Sequence, residues 1–201
     1  MAFSYSNIPL KSNERSYPLV FAGGAVITAN PEPYKDIFDF FIIGDGENTN
    51  KKVVEVCIDN NNFPKKEILE LLSDVEGVYV PYISQKVKKV TKKLSECVYT
   101  PIISDKAFFK NTFIIEMERG CANRCGFCLA SYLNLPLRTT LNEELINTIE
   151  LGLKYTNKIA FLGAEVSAHP YFNEICDYIQ KKIKNGENIE MNFSSLSADA
   201  I

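Results

Sequence analysis

Three cysteines within eight residues are the feature of this sequence most able to do chemistry. Cys121, Cys125 and Cys128 are spaced CxxxCxxC, and they come directly after an apolar, strand-like run at residues 112–117. Thiolates bind iron, and a cubane cluster carries an iron at each of four corners. Three thiolates from one loop can hold three irons and leave the fourth open to another ligand. The spacing therefore predicts a reactive 4Fe–4S site.

The same thiols also fit a non-enzymatic metal-binding module. A structural zinc site has four ligands, usually in two separated pairs, so His169 or Cys176 would have to supply the fourth. An electron-transfer cluster of the ferredoxin type needs a fourth thiolate, for which Cys176 is the candidate nearby in sequence. Both alternatives stay open at this point. Cys57 is expected to be a packed residue of a strand at residues 54–58.

Composition limits the class of protein and its partners. The chain has 201 residues, 46% of them hydrophobic, enough for one or two domains with a core. A net charge of -3 gives no electrostatic argument for nucleic acid or an anionic membrane. The lysine-rich run at residues 86–93 is expected to be a solvated helix face. No apolar stretch approaches the roughly 20 residues of a membrane span, and six cysteines without a disulfide pattern favour the cytoplasm.

The N-terminal part reads as a parallel α/β unit. A short buried strand is expected at residues 18–22, a helix start at 30–33 and a second buried strand at 39–43. An amphipathic helix should begin near Pro64, with a short strand at 78–81.

The C-terminal part shows a regular β-α-β-α-β pattern. The expected elements are strands at 113–117, 158–163 and 189–193 and helices at 141–153 and 171–184. This order is typical of the start of a parallel barrel or an open parallel sheet.

The cysteine loop resembles a known family signature. Residues 118–128, ERGCANRCGFC, are similar to the signature loop of the radical S-adenosylmethionine (radical SAM) superfamily, including Phe127 before the third cysteine. The resemblance implies a 4Fe–4S cluster on the three cysteines, with SAM on its open iron. It also implies reductive cleavage of SAM to a 5′-deoxyadenosyl radical, which abstracts hydrogen from a substrate that the sequence does not name. A reductant such as flavodoxin or ferredoxin would supply the electron.

Two further stretches carry the resemblance and suggest SAM contacts. Gly163, Ala164 and Glu165 end the second strand, where the family has a Gly-Gly-Glu-like motif, although alanine replaces the second glycine. Ser194 and Ser195 begin a segment at residues 194–199 that resembles the SSLRxD motif of one branch. Taken alone, the first stretch could be an ordinary strand-to-loop turn and the second a serine cap. With Phe127, these five residues are the implied cofactor-binding set; catalytic residues are not assigned.

The N-terminal part resembles the region that precedes the barrel in one branch of the superfamily. The runs AGG (22–24), NPEP (30–33) and GDGE (44–47) are similar to the end of a cobalamin-binding-like Rossmann domain. The Asp-x-His-x-x-Gly motif is missing, so the sequence does not support cobalamin.

The implied fold is α/β, in three parts. A partial Rossmann-like segment at 1–81 is followed by a linker at 82–111 and by the first β/α units of a partial TIM-like barrel at 112–201. Only 80 residues, 122–201, follow Cys121, whereas a full barrel takes about 250 residues. The chain is therefore expected to be a fragment, in which truncation could remove the activity and a partner chain could complete the barrel.

Overall fold

The computed structural model describes residues 2–84 and 86–198 and shows a mixed α/β protein with several sheets. The chain divides into two compact units, one up to Lys92 and one from Lys93. In the described part of the chain, no helix has the length and apolarity needed to cross a membrane.

The first unit contains a three-stranded sheet with helices. Its elements are α1 (Ala2–Tyr5), β1 (Phe21–Ala22), α2 (Ala25–Ala29), β2 (Phe40–Ile42), α3 (Glu47–Asp59), α4 (Lys65–Ser73) and β3 (Val78–Tyr79). The strand order is β1-β2-β3, with β1 parallel and β3 antiparallel to β2. The parallel strand pair predicted around residues 18–43 is present.

The central strand β2 is buried on both faces. Phe40 and Ile42 pack with residues of α3 and α4, whereas Phe41 packs in a second cluster with Ile27 and Ile43. Successive side chains of a strand point to opposite faces, so a continuous apolar run serves two cores at once. This explains why the run at residues 40–43 has no polar alternation.

Two local predictions for this unit were wrong. Cys57 lies in helix α3, because the run at 53–58 continues a helix that begins at Glu47. The lysine-rich run is not helical either. Val90 forms a parallel bridge with Gly44, and the Lys92 N–H donates to the Asp45 carboxylate at 2.7 Å. Backbone contacts to the turn after β2 therefore hold this segment in an extended form.

The second unit is built on a four-stranded sheet. Its elements are β4 (Val98–Tyr99), β5 (Thr112–Glu116), β6 (Glu118–Arg119), α5 (Leu129–Leu133), β7 (Arg138–Thr139), α6 (Asn142–Leu153), β8 (Lys158–Leu162), α7 (Phe172–Lys184) and β9 (Glu190–Phe193). The order of the large sheet is β4-β5-β8-β9, in which β5, β8 and β9 are parallel and β4 is antiparallel to β5. The short strands β6 and β7 pair with each other. Strand β4 lies inside the segment predicted as a linker.

One face of this sheet carries the core of the second unit. Alternate residues of β5 and β8, such as Ile115 and Phe161, are buried against Leu145 and Ile149 of α6 and Ile179 of α7. The parallel strands end at one edge of the sheet, where ligands bind in parallel α/β folds. The cysteine loop, the turn at 163–165 and the serine pair all follow strands at that edge.

Helix α7 offers a matched test of the core. Ile179 is fully buried in the core cluster, whereas Ile183, one turn later, is 43% exposed. We expect Ile179→Ala to lower the free energy of unfolding by about 2–5 kcal/mol, because it removes buried methylene groups and leaves a cavity. Ile183→Ala should cost much less. Urea unfolding followed by circular dichroism measures both, and equal effects would contradict this packing.

Candidate functional site

The cysteine loop is closed at its base by the β6–β7 hairpin. Glu118 pairs with Thr139, and Arg119 pairs with Arg138. Gly120 then turns the chain with a φ of +98°, and a Cβ there would lie 2.6 Å from the carbonyl oxygen of Asn134. Only glycine fits such a close approach in the left-handed region. The hairpin and this turn therefore fix where the loop leaves the sheet.

The structure brings most of the predicted site residues to one cavity of about 430 Å³. Its lining includes Cys121, Cys125, Phe127, Cys128, Ala164, Glu165 and Ser195. Gly163 and Ser194 are outside the lining but contact each other. The Gly163 N–H donates to Ser194 Oγ at 3.0 Å, and the Ser194 hydroxyl donates to the Gly163 carbonyl oxygen at 2.8 Å. Ser194 thus holds the turn that lines the cavity.

The environment of the thiols favours metal binding. The hydroxyl of Ser131, its backbone N–H and that of Ala130 lower the pKa of Cys128, because they donate to the sulfur at the start of α5. The Asn123 N–H donates to Cys121 Sγ at 3.5 Å. The donors to Cys128 stabilise its thiolate, the form that binds metals. All six cysteines of the chain are free, so the three in the loop are available as ligands.

The donor set fits an iron–sulfur cluster. In a cubane each thiolate binds a different iron, so the three sulfurs need not converge on one point. Within residues 2–84 and 86–198, no three His, Cys, Asp or Glu side chains converge as ligands of a single metal ion.

The two residues considered as a fourth metal ligand lie elsewhere. His169 is 3% exposed and accepts the Tyr171 N–H on Nδ1 at 3.1 Å. Cys176 lies on α7, where burial raises the pKa of its thiol. Neither residue is part of the cavity lining. Asp199, the last residue of the segment that resembles SSLRxD, lies outside the described residues.

Glu118 is a buried acid whose role sequence reasoning missed. It is 3% exposed, and its Oε1 accepts the backbone N–H of Glu165 at 2.7 Å. Burial raises the pKa of this carboxyl group, and the N–H groups of Glu165 and Ala164 partly oppose that rise. The available signal was a carboxylate directly after an apolar strand and before the first cysteine.

A second contact joins the cysteine loop to the turn after β8. The side-chain amide of Asn123 donates to the carboxylate of Glu165. The residue between the first and second cysteines therefore touches the acidic end of the Gly-Ala-Glu motif. This contact and the Glu118 hydrogen bond tie the two walls of the cavity together.

Comparison with known protein families agrees with this geometry. Residues 115–199 match the model of the radical SAM superfamily, and residues 1–81 match the model of radical SAM proteins, N-terminal. These matches support the assignment of the chain to the radical SAM superfamily. The radical SAM model spans the cysteine loop, the turn at 163–165 and the serine pair, so all predicted site residues lie inside one match.

One curated relative extends the similarity over both units. It is an uncharacterized protein from Methanocaldococcus jannaschii, 32% identical over 187 residues, which cover 90% of this chain. The aligned part is 38% of that protein. The chain thus spans well under half the length of this relative.

Proposed function

We propose that this chain is a radical SAM iron–sulfur protein that cleaves SAM reductively to a 5′-deoxyadenosyl radical for hydrogen abstraction from a substrate. One observation carries the proposal. Three free thiols of a CxxxCxxC loop border the same cavity as the Gly-Ala-Glu turn and Ser195, although these segments are far apart in sequence. A cofactor held by the thiols would sit next to the residues proposed to bind SAM.

The three thiolates would hold a 4Fe–4S cluster, which supplies the electron that cleaves SAM when an external reductant of the flavodoxin or ferredoxin class has reduced it. The cluster would be held at the loop by Cys121, Cys125 and Cys128. The donors around Cys121 and Cys128 offset the negative charge of the sulfurs. We propose no role for cobalamin.

The second wall of the cavity supplies groups suited to SAM. The Glu165 carboxylate can accept hydrogen bonds from an ammonium group, and the backbone of Ala164 offers further polar atoms, as does that of Phe127 on the opposite wall. Ser195 adds a hydroxyl, and its carbonyl accepts the Val166 N–H at 3.1 Å, which anchors the segment after β9. Phe127 is 93% exposed, so its ring packs against little else and the proposed contact uses its backbone.

The four-stranded sheet of the second unit supports the proposed barrel-like fold. The parallel strands β5, β8 and β9 with helices α6 and α7 support the first β/α units of a partial TIM-like barrel over residues 112–201. We propose a partial Rossmann-like segment for residues 1–81, because β1 and β2 are parallel. A cytoplasmic location is also proposed, because six free cysteines suit a reducing compartment.

Anaerobic reconstitution tests the function. We expect a brown protein with about four irons per chain, whose EPR spectrum changes when SAM is added. Dithionite should then drive formation of 5′-deoxyadenosine. A reconstituted chain that forms no more 5′-deoxyadenosine than its Cys125→Ala variant would refute the proposal. Bound zinc without a charge-transfer band would instead indicate a structural metal module.

A further inference from the structure

We propose that Glu118 is a positioning residue that fixes the backbone of the Gly163–Glu165 turn for SAM binding. The inference rests on the proposed function. It assigns a role to an acid that lies three residues before the first cysteine and is outside the cavity lining.

The sheet brings Glu118 to the turn. Strands β5 and β8 pair in parallel up to Glu116 and Leu162, and the Met117 N–H then donates to the Leu162 carbonyl at 2.9 Å. The chain segments that follow are therefore side by side where the strands end. Glu118 enters the turn at 163–165 from this position, with 3% of its surface exposed.

The carboxylate of Glu118 acts on the backbone of the turn. Its Oε1 accepts the Glu165 N–H at 2.7 Å, and the Ala164 N–H also donates to the carboxylate. A planar trans peptide directs its carbonyl opposite to its N–H. The carbonyls of Gly163 and Ala164 are therefore turned away from Glu118. The hydrogen bond of the Gly163 carbonyl is consistent with this orientation, because the carbonyl accepts the Ser194 hydroxyl at 2.8 Å.

The fit between Glu118 and the turn leaves no room for a side chain at residue 163. A Cβ on Gly163 would lie 2.5 Å from Glu118 Cγ and 3.0 Å from Oε1. Atoms do not approach so closely without displacement, and Glu118 is held by its hydrogen bonds. The glycine of the motif is thus explained by the acid that packs on it. A carboxylate suits this place because it accepts two neighbouring N–H groups.

The test compares Glu118→Ala and Glu118→Gln with a control, Glu143→Gln, at an exposed position in the first turn of α6. Hydrogen exchange of the Ala164 and Glu165 amides is measured without cofactor, and the Kd for SAM is measured after reconstitution to equal iron content. Loss of the acceptor should speed exchange and weaken SAM binding by about tenfold in Glu118→Ala. Glu118→Gln keeps one acceptor oxygen, so its exchange rates and its Kd for SAM should lie between those of the wild type and Glu118→Ala. The control should match the wild type.

The outcomes separate two failures. A wild-type protein with full iron content that does not bind SAM would overturn the proposed function, and the role of Glu118 with it. A wild-type protein that binds SAM, with both Glu118 variants unchanged in Kd or in amide exchange, would overturn the role of Glu118 alone. If Glu118→Ala does not fold, Glu118→Gln decides by the same two measurements.

Discussion

Cys125→Ala should reduce the iron bound after reconstitution from about four atoms per chain to background. Cys121→Ala and Cys128→Ala should do the same, because a cubane held by three thiolates loses one of its few covalent anchors in each variant. All three thiols line the same cavity, and the other cysteines are outside its lining. No other described cysteine is therefore placed to replace one of the three. Iron analysis and the visible charge-transfer absorption measure the effect.

Two other cysteines serve as matched controls. Cys57 lies on α3 and Cys176 on α7, and both are half-buried free thiols outside the cavity lining. Cys57→Ala and Cys176→Ala should retain the iron of the wild type. A Cys176→Ala variant that loses iron to the same extent as Cys125→Ala would identify a fourth protein ligand. That result would favour an electron-transfer cluster over the proposed open iron.

Asp39→Ala should lower the free energy of unfolding of the first unit by about 3–5 kcal/mol. The Asp39 side chain is fully buried and lies 3.2 Å from Arg15 Nη2 and 2.6 Å from Lys65 Nζ. It also accepts the Val20 N–H at 2.6 Å and the hydroxyl of Ser12. Its removal leaves the fully buried Arg15 without its carboxylate partner, which is the costly way to break a buried ion pair.

The stabilisation by Asp39 should depend on pH. Burial by itself would raise the pKa of the Asp39 carboxyl, but donors from Lys65, Ser12, Val20 and Arg15 outweigh it and hold the pKa below its ordinary value. A lowered pKa in the folded state means that the stabilisation is complete above the unfolded pKa of about 4. It should be lost as the pH falls from there through the folded pKa. The difference between wild type and Asp39→Ala should therefore shrink in acid.

Urea unfolding at neutral and acidic pH measures both effects. Asp59→Ala is the control, because Asp59 is exposed at the end of α3. The control should change stability by less than about 0.5 kcal/mol. An Asp39→Ala variant as stable as the control at neutral pH would show that the buried cluster contributes little to the fold.

Sequence periodicity was sufficient for most elements of the second unit. Strands β5, β8 and β9 are rich in apolar residues and helices α6 and α7 have apolar stripes, so local pattern and tertiary burial agree there. The short strands β6 and β7 are polar and were not predicted. The cysteines were predicted from their spacing and the other cavity residues from the family resemblance. All of them follow parallel strands, whose ends share one edge. The stripe of α7 shows the limit. Ile183 fits it but is 43% exposed, so the stripe alone does not show how far along the helix burial extends.

Other features could not be read from local patterns. Cys57 was placed on a strand because the run at 54–58 alternates, yet apolar residues at Val53, Val56 and Cys57 also form one helix face. Arg15 and Asp39 are a buried pair separated by 24 residues, and no spacing rule connects them. Glu118 meets Glu165 only after β5 and β8 have paired. These contacts depend on tertiary structure, so a sequence pattern does not contain them.

The walls of the cavity depend on strands that are distant along the chain. Pairing joins Thr112 to Lys158 and Lys158 to Glu190, so each parallel contact closes a long loop. Such high contact order makes assembly slow relative to local helix formation. The thiols lie within eight residues of one loop, so they are close together in any conformation of the chain. The opposite wall of the cavity forms only when β5, β8 and β9 have paired. We therefore expect the thiols to be open to oxidants and to competing metals until these strands have paired.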